Sequence, residues 1–133
     1  GNPEDPGGYR KGARSGMNIN PDIQKLNEIT GLPVSPDMYA YDGSKYITYE
    51  YTDERPVFWG DDTVLCDQAT IRVNLFTPPK FNYMDIKHRI RDYLETLGIV
   101  DEITSWKKTF TAKNNLEQAI RRTTFSVIIT KER

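Results

Sequence analysis

The chain has 133 residues, 37% hydrophobic and 28% charged, with 18 basic side chains against 19 acidic ones and a net charge of −1. That length suits one domain with a core of its own, and the near-neutral balance removes bulk attraction to nucleic acid or anionic membranes. A lone cysteine, Cys66, excludes an intrachain disulfide, and with the lone histidine, His88, it all but excludes a Cys/His zinc site; no apolar run approaches the ~20 residues that cross a bilayer.

Residues 1–16 carry glycine and proline without an apolar period, and they lack the apolar stretch of a secretory signal. They are expected to be a flexible leader or cloning remnant, with Met17 as a natural start and residues 17–133 as a single α+β domain. Asn20-Pro21-Asp22 opens a short helix with a cap, a proline at the first position and an acid in the first turn. Ile19, Ile23, Leu26 and Ile29 or Thr30 form its narrow stripe, and Gly31 ends it. A helix so short is held by docking rather than by propensity.

Leu32 to Pro36 reads as an extended connector, Asp37 to Tyr41 as a short strand, and Asp42-Gly43-Ser44 as a turn. Tyr46 to Thr52 is a second strand, rich in β-branched and aromatic residues. Asp53-Glu54-Arg55-Pro56 breaks the run, Val57-Phe58-Trp59 is short and apolar, and Gly60 to Thr63 is a loop tip. Phe58 and Trp59 suit a core or an exposed interface anchor equally well.

The stretch from Thr70 to Leu97 organises the rest. Ile71, Val73 and Leu75 alternate with Arg72 and Asn74, as in a strand with one buried face. Thr77-Pro78-Pro79-Lys80 ends the pairing. Asn82 then caps a helix, with Asp85 in the capping-box position and Phe81 and Ile86 as its staple. The helix carries Tyr83, Ile86, Ile90, Tyr93, Leu94 and Leu97 on one stripe, and Gly98 stops it as a C′ glycine. Ser105 to Thr111 alternates again, residues 112–115 turn, and Glu117 to about Thr130 is a long final strand with Thr123, Phe125, Val127 and Ile129 on one face. The expected fold is α+β, a mainly antiparallel sheet of about five or six strands with two helices packed on one face.

Candidate chemistry is sparse. Asp61, Asp62 and Asp67 lack the spacing of a calcium loop, His88 falls off the apolar stripe of its helix, and Cys66 has no histidine near it in sequence. Serine has no nucleophile-elbow setting, and no glycine-rich phosphate loop occurs. No enzyme activity, metal or cofactor is expected. Lys107-Lys108 and Arg121-Arg122 fall on two strands that a hairpin would bring together. With Lys113, Trp106 and Phe110 they suit a single-stranded nucleic-acid-binding module. They equally suit edge protection, or contact with the acidic Asp53-Glu54 and Asp61-Asp62 segments of a neighbouring copy.

The order of elements also carries a family resemblance over about residues 19–130. It comprises the short N-terminal helix, Pro36 to Tyr41, Tyr46-Ile47-Thr48-Tyr49, Trp59-Gly60-Asp61-Asp62, the strand Ile71 to Leu75, the helix Met84 to Leu97 before Gly98, and Arg121-Arg122 followed by Thr124-Phe125-Ser126-Val127. This order resembles the small tail-terminator and tail-completion (minor tail) proteins of long-tailed bacteriophages and prophages. The resemblance implies an oligomeric ring, a hexamer, that caps the tail tube and joins it to the head-completion or connector protein. It implies a virion component assembled in the bacterial host cytoplasm, with no membrane partner. Ring or partner contacts are expected at Phe58, Trp59, Asp61, Asp62, Arg121 and Arg122.

Overall fold

The computed structural model describes residues 17–36, 45–59, 64–111 and 114–133. The expected strand at Asp37 to Tyr41, the turn after it, and the leader lie outside the described residues. Two helical turns, α1 (Asn20–Gln24) and α2 (Leu26–Thr30), precede a short strand β1 (Val34–Pro36). Then come β2 (Tyr46–Trp59), β3 (Val64–Thr77), helix α3 (Met84–Leu97), β4 (Ile99–Thr111) and β5 (Glu117–Glu132). The five strands form one sheet in the order β1-β2-β3-β5-β4, antiparallel except where β1 runs parallel to β2. The expected α+β architecture is borne out.

Strand alternation decides where the core lies. Ile47 sits opposite Leu75 and Tyr49 opposite Val73; across β3, Val73 meets Phe125 and Ile71 meets Val127. These side chains share one face. Ile19, just before α1, and Ile23, Leu26, Ile90 and Leu94 from the helices close over it, all fully buried. Each such side chain removed from water contributes roughly 1.5–3 kcal/mol, which is what holds helices too short to stand alone. Tyrosines bolt the layers together. Tyr51 Oη accepts from the Ile19 amide at 3.1 Å and donates to Asn20 Oδ1 at 3.1 Å, and Tyr93 Oη donates to the Asp22 carbonyl at 2.7 Å. Burial raises the pKa of both phenols above the usual 10.0.

Several local expectations are corrected. The first helix is broken at Lys25, and Ile19 rather than Asn20 precedes it; the Asn20 side chain is taken by Tyr51 instead of capping. The supposed connector contains β1, because Val34, Ser35 and Pro36 find partners in Ile47, Thr48 and Tyr49. β2 is not broken at Asp53 to Pro56. It runs on to Trp59 across a bulge between Tyr51 and Asp53, and Pro56 is tolerated because, among the described residues, its strand has one side unpaired there. α3 begins at Met84, with no side-chain cap bond on Tyr83, although Asn82 Oδ1 accepts from the Met84 amide at 3.3 Å. Gly98 is extended, with φ −175° and ψ −150°, not left-handed. It is required for another reason: a Cβ there would run into the Ile128 carbonyl. Gly31 does adopt the left-handed region, φ 74°, as its place at a helix end requires.

Beyond Glu50, no strand pairs with the outer side of β2 among the described residues, and none pairs with the outer side of β4 along its whole length. The two hairpins also leave the sheet at opposite corners. Residues 117–120 of β5 pair with β4 alone, past the end of β3, while Phe58 and Trp59 pair with Leu65 and Val64 past the end of β5.

Candidate functional site

On the sheet face away from the helices, four neighbouring strands align one row of large side chains. Tyr46 lies opposite Phe76, Phe76 opposite Arg122, and Arg122 opposite Trp106. The Tyr46 and Phe76 rings stack at 4.8 Å between centroids. The Arg122 guanidinium lies 5.8 Å from the Phe76 ring and 5.7 Å from the Trp106 ring, so it is held between two aromatic surfaces. Beside this row runs a polar one centred on buried Asn74. Its Nδ2 donates to Thr48 Oγ1 at 3.2 Å, and its Oδ1 accepts from Thr124 Oγ1 at 2.9 Å and from Arg122 Nε at 3.1 Å. Glu50 and Arg72 form a weaker exposed pair at 3.5 Å.

Asn74→Ala would leave two hydroxyls and a guanidinium N–H unsatisfied in a mostly dry setting. It is expected to cost about 1–3 kcal/mol, read as a lowered urea midpoint with an unchanged slope. A midpoint equal to the parent's would show that water replaces the amide at no cost.

The basic pairs do meet on one hairpin, but on opposite faces. Lys107 and Arg121 are direct neighbours on the helix side, whereas Lys108 and Arg122 face the other way. Arg121 stacks on Tyr83 at 4.7 Å and reaches Ser105 Oγ at 3.5 Å, while its Nε is buried without a partner among the described residues. The Ser105 hydrogen bond, with help from the Arg121 charge, holds the Tyr83 phenol below the usual 10.0 despite burial. Both arginines are thus partly buried and engaged within the chain. They form no continuous basic track, and the geometry gives the nucleic-acid reading no support. Lys113 lies outside the described residues.

The interface candidates are spread along the molecule. Phe58 is 66% exposed on the open side of β2, so it is not core. Trp59 continues the ladder opposite Val64, and Asp61 and Asp62 lie outside the described residues. Phe58 sits opposite Leu65, and the two arginines sit opposite Phe76 and Thr77, at the two ends of β3. The aromatic and arginine row escaped sequence reading because alternation gives a face, while only register across four strands aligns these particular residues. Asp67 is buried and paired with Arg133 at 2.7 Å. His88 is exposed, and Cys66 is a buried thiol. Among the described residues no group of three or more His, Cys, Asp or Glu side chains gathers, and no helix is long and apolar enough to cross a membrane.

No family model and no curated protein matches the chain. Among solved structures, a chain from the virion of a native gene transfer agent particle aligns with a TM-score of 0.42 and 13% identity, covering 81% of this chain and 84% of that one. A second solved chain aligns with a TM-score of 0.46 and 12% identity, covering 89% and 97% respectively. Likenesses at this level carry no argument about function.

Proposed function

We propose that the chain is a structural assembly protein of a phage or prophage tail. In this reading a ring of copies, six by the resemblance in element order, caps the tail tube and joins it to the head connector, and no catalytic step is involved. The observation that carries the reading is the outline of the sheet: two long strand edges without partners among the described residues, and two hairpins leaving at diagonal corners. A domain that works alone blunts such edges. One that binds copies of itself head to tail needs two different sticky sides, and closure of that contact gives a ring. Exposed Phe58 and half-exposed Trp106 supply aromatic area beside those edges.

The test is sedimentation and light scattering of the purified chain, alone and mixed with the tail-tube protein of the same phage or prophage, followed by electron microscopy of the mixture. A ring-sized species and tubes of defined length capped at one end are the expected result. A chain that stays monomeric in both conditions overturns the proposal.

A further inference from the structure

The two open edges fit each other. β4 and β2 run antiparallel within one sheet, since each successive neighbour between them reverses. Placing β4 of one copy beside β2 of the next therefore continues an antiparallel sheet. The exposed stretch Asp53-Glu54-Arg55 of β2 is mostly acidic, and Lys107-Lys108 of β4 is basic.

Resting on the assembly reading above, we propose that copies join head to tail by this edge pairing, with Lys107 of one copy opposite Glu54 of the next and Lys108 opposite Asp53. The faces agree at each pair from Asp53 to Phe58, past the bulge in β2. Glu54 lies opposite Ala69 and Lys107 opposite Arg121, both on the helix side; Asp53 lies opposite Thr70 and Lys108 opposite Ile120, both on the other side. The same register sets Trp106 opposite Arg55, a cation–π pairing, and Ile103 opposite Phe58, which covers an exposed ring. Pro56 costs this ladder at most one bond, because it lacks a single donor.

Other registers are worse. A slip by one residue puts partners on opposite faces. A slip by two in one direction sets Lys108 against Arg55, and in the other sets Lys107 against Thr52, the residue at the bulge. Asp53 is already held by Arg55 at 2.6 Å, both side chains being half exposed, so Lys108 would join that pair rather than meet a bare carboxylate.

The test uses the full chain with Cys66→Ala, so that only introduced thiols react. Glu54→Cys combined with Lys107→Cys is expected to give a ladder of disulfide-linked multimers on oxidation. The two single variants should link to each other when mixed, and neither should link alone. Separately, Lys107→Glu with Lys108→Glu should lower the multimer fraction at least about tenfold. Adding Asp53→Lys and Glu54→Lys to the same chain should restore it. Multimers that form without these crosslinks and survive charge reversal overturn the edge pairing while leaving the assembly reading standing. Dimers from Lys107→Cys alone overturn it in favour of β4 pairing with itself. A chain that stays monomeric, with and without tube protein, overturns both.

Discussion

Phe125→Ala is expected to lower the stability of the folded chain by about 3–5 kcal/mol, the range for an aromatic removed from a closed core. Phe125 is fully buried on β5, a strand with long antiparallel neighbours on both sides, directly between Val73 of β3 and Ile103 of β4. Its face is covered by helices whose own contacts are Ile23, Leu26, Ile90 and Leu94. A hole there cannot be filled by sliding a strand, because both neighbours are fixed by their ladders. The lost transfer energy and the residual cavity therefore both count. Urea unfolding followed by circular dichroism reads the effect. A loss below about 1 kcal/mol would mean that the layer collapses freely, and the account of the core given above would be wrong.

Gly98→Ala is expected to cost about 3 kcal/mol, the upper part of the range for overpacking. The backbone at Gly98 is extended and open to any residue, so conformational preference is not the issue. The cause is contact: helix α3 hands the chain to β4 directly against the Ile128 carbonyl of β5, leaving no room for a methyl group. An alanine must push β4 away from the strand it pairs with. Gly31→Ala provides the contrast, since nothing lies within 4 Å of a Cβ there but φ is 74°. That variant carries only the left-handed penalty of roughly 1–2 kcal/mol. If thermal melts ranked Gly31→Ala as the more damaging change, the steric argument for Gly98 would fail.

These two positions also separate what local pattern reveals from what it hides. The period-two run at Ile71, Val73 and Leu75 and the helical stripe through Ile90 and Leu94 were legible, because burial imposes those periods on the sequence itself. Gly31 was legible as a helix end for the same kind of reason. Gly98 reads from the sequence as a helix stop, but the reason it must be glycine is hidden there, since its neighbour Ile128 is 30 residues away in the chain. The break expected at Asp53 to Pro56 failed similarly. Charged residues and a proline look like a loop locally, yet an edge strand accommodates both. Of the candidate interface, exposure of Phe58 was one of two readings left open. The internal engagement of Arg121 with Tyr83 and of Arg122 with Phe76, Trp106 and Asn74 depends on register across strands far apart in sequence.

The strand order has a kinetic consequence. β5 follows every other strand in the chain, yet it is inserted between β3 and β4. During synthesis β4 emerges with nothing to lie against, and β3 has one side bare, until residues 117–132 have left the ribosome. Contacts so distant in sequence form late and slowly. The β4 rim therefore takes shape only once residues 117–132 are available to hold it, whereas the β2 rim needs no more than its hairpin with β3.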